Sequence, residues 1–195
     1  ILLGIAVFIG VIGNSLATFS KRIASDIGFY SFESHFTSYS VKNYLWDQSI
    51  VQLILNSLIF LAVLVVAVLG FHFPVTTSLL VQFFLLSFMG IYFSVIGFVL
   101  GVRVDAKTID TIGFPIIILA AMTIIPFDTL GASGGFMDLV GKLQRVFPGY
   151  YYTKLIQDLT EKQTIDVSQL ALFVAVFGLN LLFFYLLVPK GKMGN

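Results

Sequence analysis

Long apolar runs, interrupted by two polar stretches, set the pattern of this chain. Five runs are long enough, or nearly so, to cross a bilayer: 1–19, 49–71, 79–102, 111–127 and 167–188. A helix needs about 20 apolar residues to cross roughly 30 Å of hydrocarbon. The second and third runs are separated only by a short turn containing Pro74, and no Asp, Glu, Lys or Arg occurs from Gln48 to Val102. A charge at a helix centre costs about 2.5–3.5 kcal/mol on insertion, so this charge-free stretch predicts a helical hairpin through a membrane. The fourth run is short and holds Pro115 and Pro126. At 1.5 Å per residue it covers about 26 Å, enough to span without tilt or to re-enter.

The first polar stretch, 20–48, opens with Lys21 and Arg22 and carries Phe29, Phe32, Phe36 and Tyr39 at spacings of three, four and three. That spacing predicts one aromatic face of an amphipathic helix. Burying all four rings would contribute about 6–12 kcal/mol before ordering costs. From Ile23 to Val41 there is no Lys or Arg, while Asp26, Glu33 and His35 are present. Helices anchored on lipid are usually rich in cations on the polar face, so this face reads as a protein-docking surface. The second polar stretch, 128–166, begins with the flexible DTLGASGG. Phe136, Leu139, Val140, Leu143 and Phe147 then mark an amphipathic helix, Pro148-Gly149 breaks it, and a second helical piece follows the cluster Tyr150, Tyr151 and Tyr152. Such a cluster suits the headgroup level of a bilayer.

Composition reinforces this picture. Of 195 residues, 58% are hydrophobic and only 11% charged, with a mean hydropathy of +0.99; soluble domains carry about 25% charged residues. The expected fold class is therefore an all-α polytopic membrane protein forming one transmembrane domain over 1–195. A net charge of +1 gives no basic field for nucleic acid. The absence of cysteine removes thiolate chemistry, and two histidines, His35 and His72, make a His-rich metal site an unattractive reading. Five spans put Lys21, Arg22, Lys42, Arg103, Lys107, Lys190 and Lys192 on one side and Lys142, Arg145, Lys154 and Lys162 on the other. The positive-inside rule then makes the first side cytoplasmic, in a multi-pass plasma-membrane protein. Residue 1 falls outside, and a further span is expected before it, giving six.

Motifs with catalytic overtones fail on their own chemistry. GASG at 131–134 resembles the nucleophile motif of rhomboid proteases, yet no histidine follows His72 to act as base. GFMDLVGK at 135–142 has five residues between its glycines where a phosphate loop has four, and Leu143 stands where Ser or Thr would hold magnesium. Gly97 and Gly101, with Ser94 and Gly90 above them, form a small-residue face for close helix packing, within the subunit or at a dimer seam. Asn14, Asn56, Gln82 and Asn180 are polar residues at membrane depth, suited to interhelical hydrogen bonds or a pathway. None is ionisable, which disfavours a carrier driven by an ion gradient.

The order of these parts resembles the membrane subunit of type-2 ABC (ATP-binding cassette) exporter permeases. Two segments carry the likeness. Asp26-Ile27-Gly28 and the run to Leu45-Trp46 stand where that family has an acidic-x-Gly element and a short helix before the next span; Thr37 lies near a position where the family often has Pro. MDLVGKLQRVFPGYYYTKLIQDL at 137–159 is similar to the family's outer helix, ended by Pro and aromatics. The resemblance implies a dimer of permease subunits, homo- or heteromeric, that forms a substrate pathway. Separate ATPase subunits would carry ATP and magnesium, so this chain would bind no cofactor and be no enzyme. Asp26, Gly28, Phe29, Phe32, Glu33, Phe36 and Tyr39 would dock the ATPase, and 128–166 would cap the outer exit. The rival expectations are an ion-gradient-driven secondary transporter and a non-transporting assembly or immunity protein.

Overall fold

The computed structural model describes residues 2–33, 35–72, 74–76, 78–127, 131, 134–162 and 164–187. Ser133 of the GASG motif and the basic tail with Lys190 and Lys192 lie outside the described residues. Every regular element among the described residues is helical: α1 (Leu2–Ile12), a π-helical segment (Gly13–Phe19), α2 (Ser20–Glu33), α3 (Val41–Phe71), α4 (Ser78–Arg103), α5 (Ala106–Met122), α6 (Gly135–Gln144), α7 (Pro148–Glu161) and α8 (Val167–Leu187).

The first three of these form one unbroken helical run from Leu2 to Glu33. Nothing at the apolar-to-polar boundary stops it: Ile12 and Ser20, which flank the π segment, both keep right-handed helical dihedrals. Ser20 lies buried at the junction and turns its hydroxyl back onto the Leu16 carbonyl at 2.5 Å. Residues 20–33 of the polar stretch are thus the end of the first helical run rather than a separate element. The helix stops at Glu33 because side chains and turns take over its last carbonyls. The Glu33 carbonyl accepts from the amides of Phe36 and Thr37 and from the Thr37 hydroxyl, the local competition by which Thr disfavours continued helix. Seven residues on, Ser40 adopts an extended backbone and caps α3 by accepting from the Asn43 amide at 3.2 Å. α3 therefore starts earlier than residue 49, and its polar first turns are helical. It ends at His72, in the left-handed conformation (φ 52°), just before Pro74.

Three helical stretches are long and apolar enough to cross a membrane: Trp46–Phe71, Ser78–Arg103 and Val167–Leu187. The core lies where the first helical run packs on α4, with Val7, Phe8, Ile12, Leu16, Met89, Tyr92 and Phe93 all within 2% of complete burial. Gly97 and Gly101 let α4 approach: a Cβ on Gly97 would collide with the Ser15 carbonyl, and one on Gly101 would lie 2.5 Å from the Ser20 carbonyl. This small-residue face is used inside the subunit. The outer faces of α3 and α8 remain exposed and apolar, as at Val66, Leu69, Leu179 and Leu186.

The second polar stretch is folded into the bundle. α5 ends at Met122, and the carbonyls of that residue and of the turn after it are met by α6 and α7. Gln144, 7% exposed, donates through Nε2 to the carbonyls of Met122 (2.6 Å) and Ile125 (2.9 Å). Thr153 donates to the Ile124 carbonyl at 2.9 Å. Pro148 starts α7, where its missing N–H costs nothing, and α7 then runs antiparallel against α8. Of the three tyrosines, Tyr152 turns into the protein core, where it is 3% exposed and meets Phe8 edge-on at 4.5 Å. A tyrosine every residue along a helix cannot share one environment: the helical turn sends Tyr152 inward while Tyr150 and Tyr151 stay half-buried.

Candidate docking surface and interior polar cluster

At one end of the bundle, α2 and the first turns of α3 form a helical corner, with the turn at 35–40 between them. Polar and aromatic contacts staple the two arms. The Tyr44 hydroxyl donates to Asp26 Oδ2 at 3.2 Å, Arg22 Nη1 donates to Gln48 Oε1 at 3.2 Å, and the Tyr30 and Tyr44 rings stack with centres 4.0 Å apart. The Tyr39 hydroxyl donates to Asp47 Oδ2 at 2.5 Å, and that bond to a carboxylate raises its pKa to about 12. Burial, reinforced by Asp26, raises that of Tyr44 as well. Lys21 reaches across to α5 and pairs with Asp110 at 2.7 Å. Beneath the corner, Phe19, Ile23, Tyr44 and Val102 form a small second core.

The seven residues expected to dock a partner are divided by this geometry. Phe29, Phe32 and Phe36 point outward, 62%, 66% and 75% exposed, with the rings of Phe32 and Phe36 5.1 Å apart. Gly28 is exposed beside them, with open space where a side chain would stand. Asp26 and Tyr39 turn inward to hold the corner, and Glu33 supplies the terminating carbonyl. The expected single helical face over 28–39 is corrected here. α2 ends at Glu33, so Phe36 and Tyr39 sit on the following turn, and the turn carries Phe36 back beside Phe32 while directing Tyr39 toward Tyr30 and Asp47.

A second assembly of functional groups lies inside the bundle, where the π segment crosses α3 and α4. Asn56 Oδ1 accepts from Asn14 Nδ2 (3.1 Å) and from Gln52 Nε2 (3.3 Å). Gln52 Nε2 also approaches Ser15 Oγ at 3.2 Å, and the Ser15 and Ser94 hydroxyls are 3.4 Å apart. Ser15 and Gln52 are fully buried and Asn56 is 6% exposed. Two of their atoms, Gln52 Oε1 and Asn56 Nδ2, have no partner among the described residues. A cavity of about 20 Å³ beside Asn56 and Ser57 has room for one water. The π segment carries one residue more per turn than an α-helix, which lets both Asn14 and Ser15 face the neighbouring helices.

Of the other polar residues, Asn180 joins two elements: it accepts from the Tyr92 hydroxyl at 3.3 Å and donates to the Val146 carbonyl at 3.0 Å. Gln82 is partly exposed near the start of α4. Reasoning from the sequence missed Gln52, Ser15 and Gln144. Gln52 was open to detection, since it lies four residues before Asn56 and so on the same helical face. Gln144 was not, because the carbonyls it meets, at the end of α5 and in the turn after it, are 22 and 19 residues away in sequence. Among the described residues no group of three His, Asp or Glu side chains could hold a metal.

Comparison of this chain with models of known protein families, with curated proteins and with solved structures finds no match.

Proposed function

We propose that this chain is the membrane (permease) subunit of an ATP-driven exporter of the type-2 ABC kind, working as a dimer in the plasma membrane with a separate ATPase subunit. The observation that carries the reading is the stapled corner. A helix that begins in the apolar core continues, without a joint, into a polar extension presenting Phe29, Phe32 and Phe36 to solvent. A push on that aromatic patch is transmitted along a continuous helix to the polar cluster at Asn14 and Ser15, and to α4 through the close contacts at Gly97 and Gly101.

In this reading the spans are five: the α1–π run, Trp46–Phe71, α4, a short α5 completed by α6 and α7, and α8. The corner is cytoplasmic together with Arg103 and Lys107, and α6–α7 open to the outer side. The chain performs no bond chemistry; ATP and magnesium belong to the partner. The absence of ionisable groups from the interior cluster also supports an energy source outside this chain. The test is reconstitution in liposomes with and without a candidate ABC ATPase subunit. Transport is expected only when that ATPase and ATP are both present. Flux by this chain alone, or flux driven by a proton or sodium gradient, overturns the proposal.

A further inference from the structure

Arg145, in the turn between α6 and α7, stands far along the bundle from the starts of α4 and α8. The Val146 carbonyl is held by Asn180, which lies 13 residues beyond the start of α8, and the same Asn180 accepts from Tyr92, 14 residues beyond the start of α4. At 1.5 Å per residue both registers set Val146, and Arg145 next to it, about 20 Å below the ends of two membrane-length helices. Yet Arg145 and Lys142 are exposed. Cations at such depth do not face hydrocarbon; they line water-filled recesses and mark pathways. A recess of about 300 Å³ does open here, lined by Lys142, Arg145, Gln144, Asp138, Tyr150 and Phe127 among others. Its two cations outnumber the single carboxylate, Asp138. The guanidinium of Arg145 lies 5.8 Å from the centre of the Tyr150 ring, and the Lys154 ammonium lies 5.7 Å from it. The same helix carries an apolar face, Phe136, Leu139 and Leu143, 68%, 64% and 62% exposed.

We infer that this recess binds a phosphate-bearing amphiphile, its anionic head between Lys142 and Arg145 and its apolar chain along Phe136, Leu139 and Leu143. A guanidinium matches phosphate in a bidentate fashion while an ammonium adds a point charge. α6 and the Arg145 that follows it offer cations in the recess and an exposed apolar face just outside it, so a ligand must supply both chemistries to satisfy them. This deepens the permease reading, on which it rests for the recess being part of a transport pathway.

The test is binding to the purified full chain in a neutral maltoside detergent, with no ATP or ATPase present. Three probes are titrated: dodecyl phosphate, dodecyltrimethylammonium and inorganic phosphate. Dodecyl phosphate is expected to bind at least about tenfold more tightly than either of the others, and more weakly as salt rises. The exposed double variant K142Q/R145Q should lose at least about tenfold in affinity, while K142R/R145K, which keeps both charges, stays close to the parent. F136S/L139S should weaken dodecyl phosphate and leave inorganic phosphate unchanged. Inorganic phosphate binding as tightly as dodecyl phosphate would make this a free-anion site and overturn the amphiphile. Equal binding of the two amphiphiles, or no effect of K142Q/R145Q, overturns the site. So does a K142Q/R145Q variant that dissociates to monomers yet binds dodecyl phosphate as before, which would make the face a self-association surface. Because no ATP is involved, failure here leaves ATP-driven transport standing, and failure of that transport leaves this binding measurable.

Discussion

Single atoms decide much of how this bundle holds together. Gly97 is the clearest case, because a methyl group there meets the Ser15 carbonyl, which is backbone and cannot swing away. Gly97→Ala is expected to force α4 from the π segment and destabilise the protein by about 1–3 kcal/mol, the usual cost of overpacking. Gly178→Ala, where the space is open, should be neutral or slightly stabilising; thermal unfolding of both variants in detergent checks the contrast. Asp105 is a second case. Its carboxylate caps α5 by accepting from the Thr108 hydroxyl (2.7 Å) and amide (3.0 Å), and these bonds lower its pKa. A lowered folded pKa means that the cap's stabilisation is present above the unfolded carboxylate value of about 3.9 and is lost as pH falls below it through the folded value. Amide protection in the first turn of α5, taken relative to the intrinsic exchange rate at each pH, should therefore fall at acidic pH. Asp105→Asn, which caps without a titrating group, should remove that dependence.

At the scale of elements, the end of α5 shows how a helix can stop inside a bundle. Its last carbonyls would be orphaned there, and Gln144, from a different helix, meets that of Met122 together with the Ile125 carbonyl in the turn that follows. Gln144→Leu keeps the volume and removes both donors. It is expected to destabilise by about 1–3 kcal/mol, the cost of leaving buried acceptors unmet, with faster hydrogen exchange concentrated at 120–126 and the α6–α7 pair. The two long polar stretches were legible as helical and amphipathic, but where each helix ended was not. The spacing Phe29, Phe32, Phe36, Tyr39 fits a helix as a pattern. Whether the backbone stays helical through Thr37 depends on hydrogen bonds from Thr37 and Phe36 to one carbonyl, and on Ser40 starting the next helix.

For the whole molecule, the proposed docking role belongs to the three outward rings, because Tyr39 and Asp26 are already engaged within the chain. Phe32→Asp/Phe36→Asp should abolish co-purification with the ATPase and leave the fold intact, since both rings are exposed. Asp47→Ala instead loosens the corner that presents them, and should weaken the same interaction only partly. Normal ATPase capture by the double variant would remove the coupling role from this surface.

By itself the sequence determined that the chain is helical and suited to a membrane. Those properties follow from local sums: runs of apolar residues near 20 long, a charge-free stretch from Gln48 to Val102, and breakers such as Pro74. It also placed Asn14, Asn56 and Asn180 among groups that must find partners. What only the tertiary structure decided is which partners they find: Asn56 with Asn14 and Gln52, and Asn180 with Tyr92 and Val146. It decided too that the second polar stretch folds inward, bringing Tyr152 against Phe8 and the Val146 carbonyl against Asn180. The reason is physical. Burial and hydropathy are properties of a segment and add along it, whereas hydrogen-bond satisfaction and close packing belong to pairs of atoms far apart in the chain, and exist only once the helices have met.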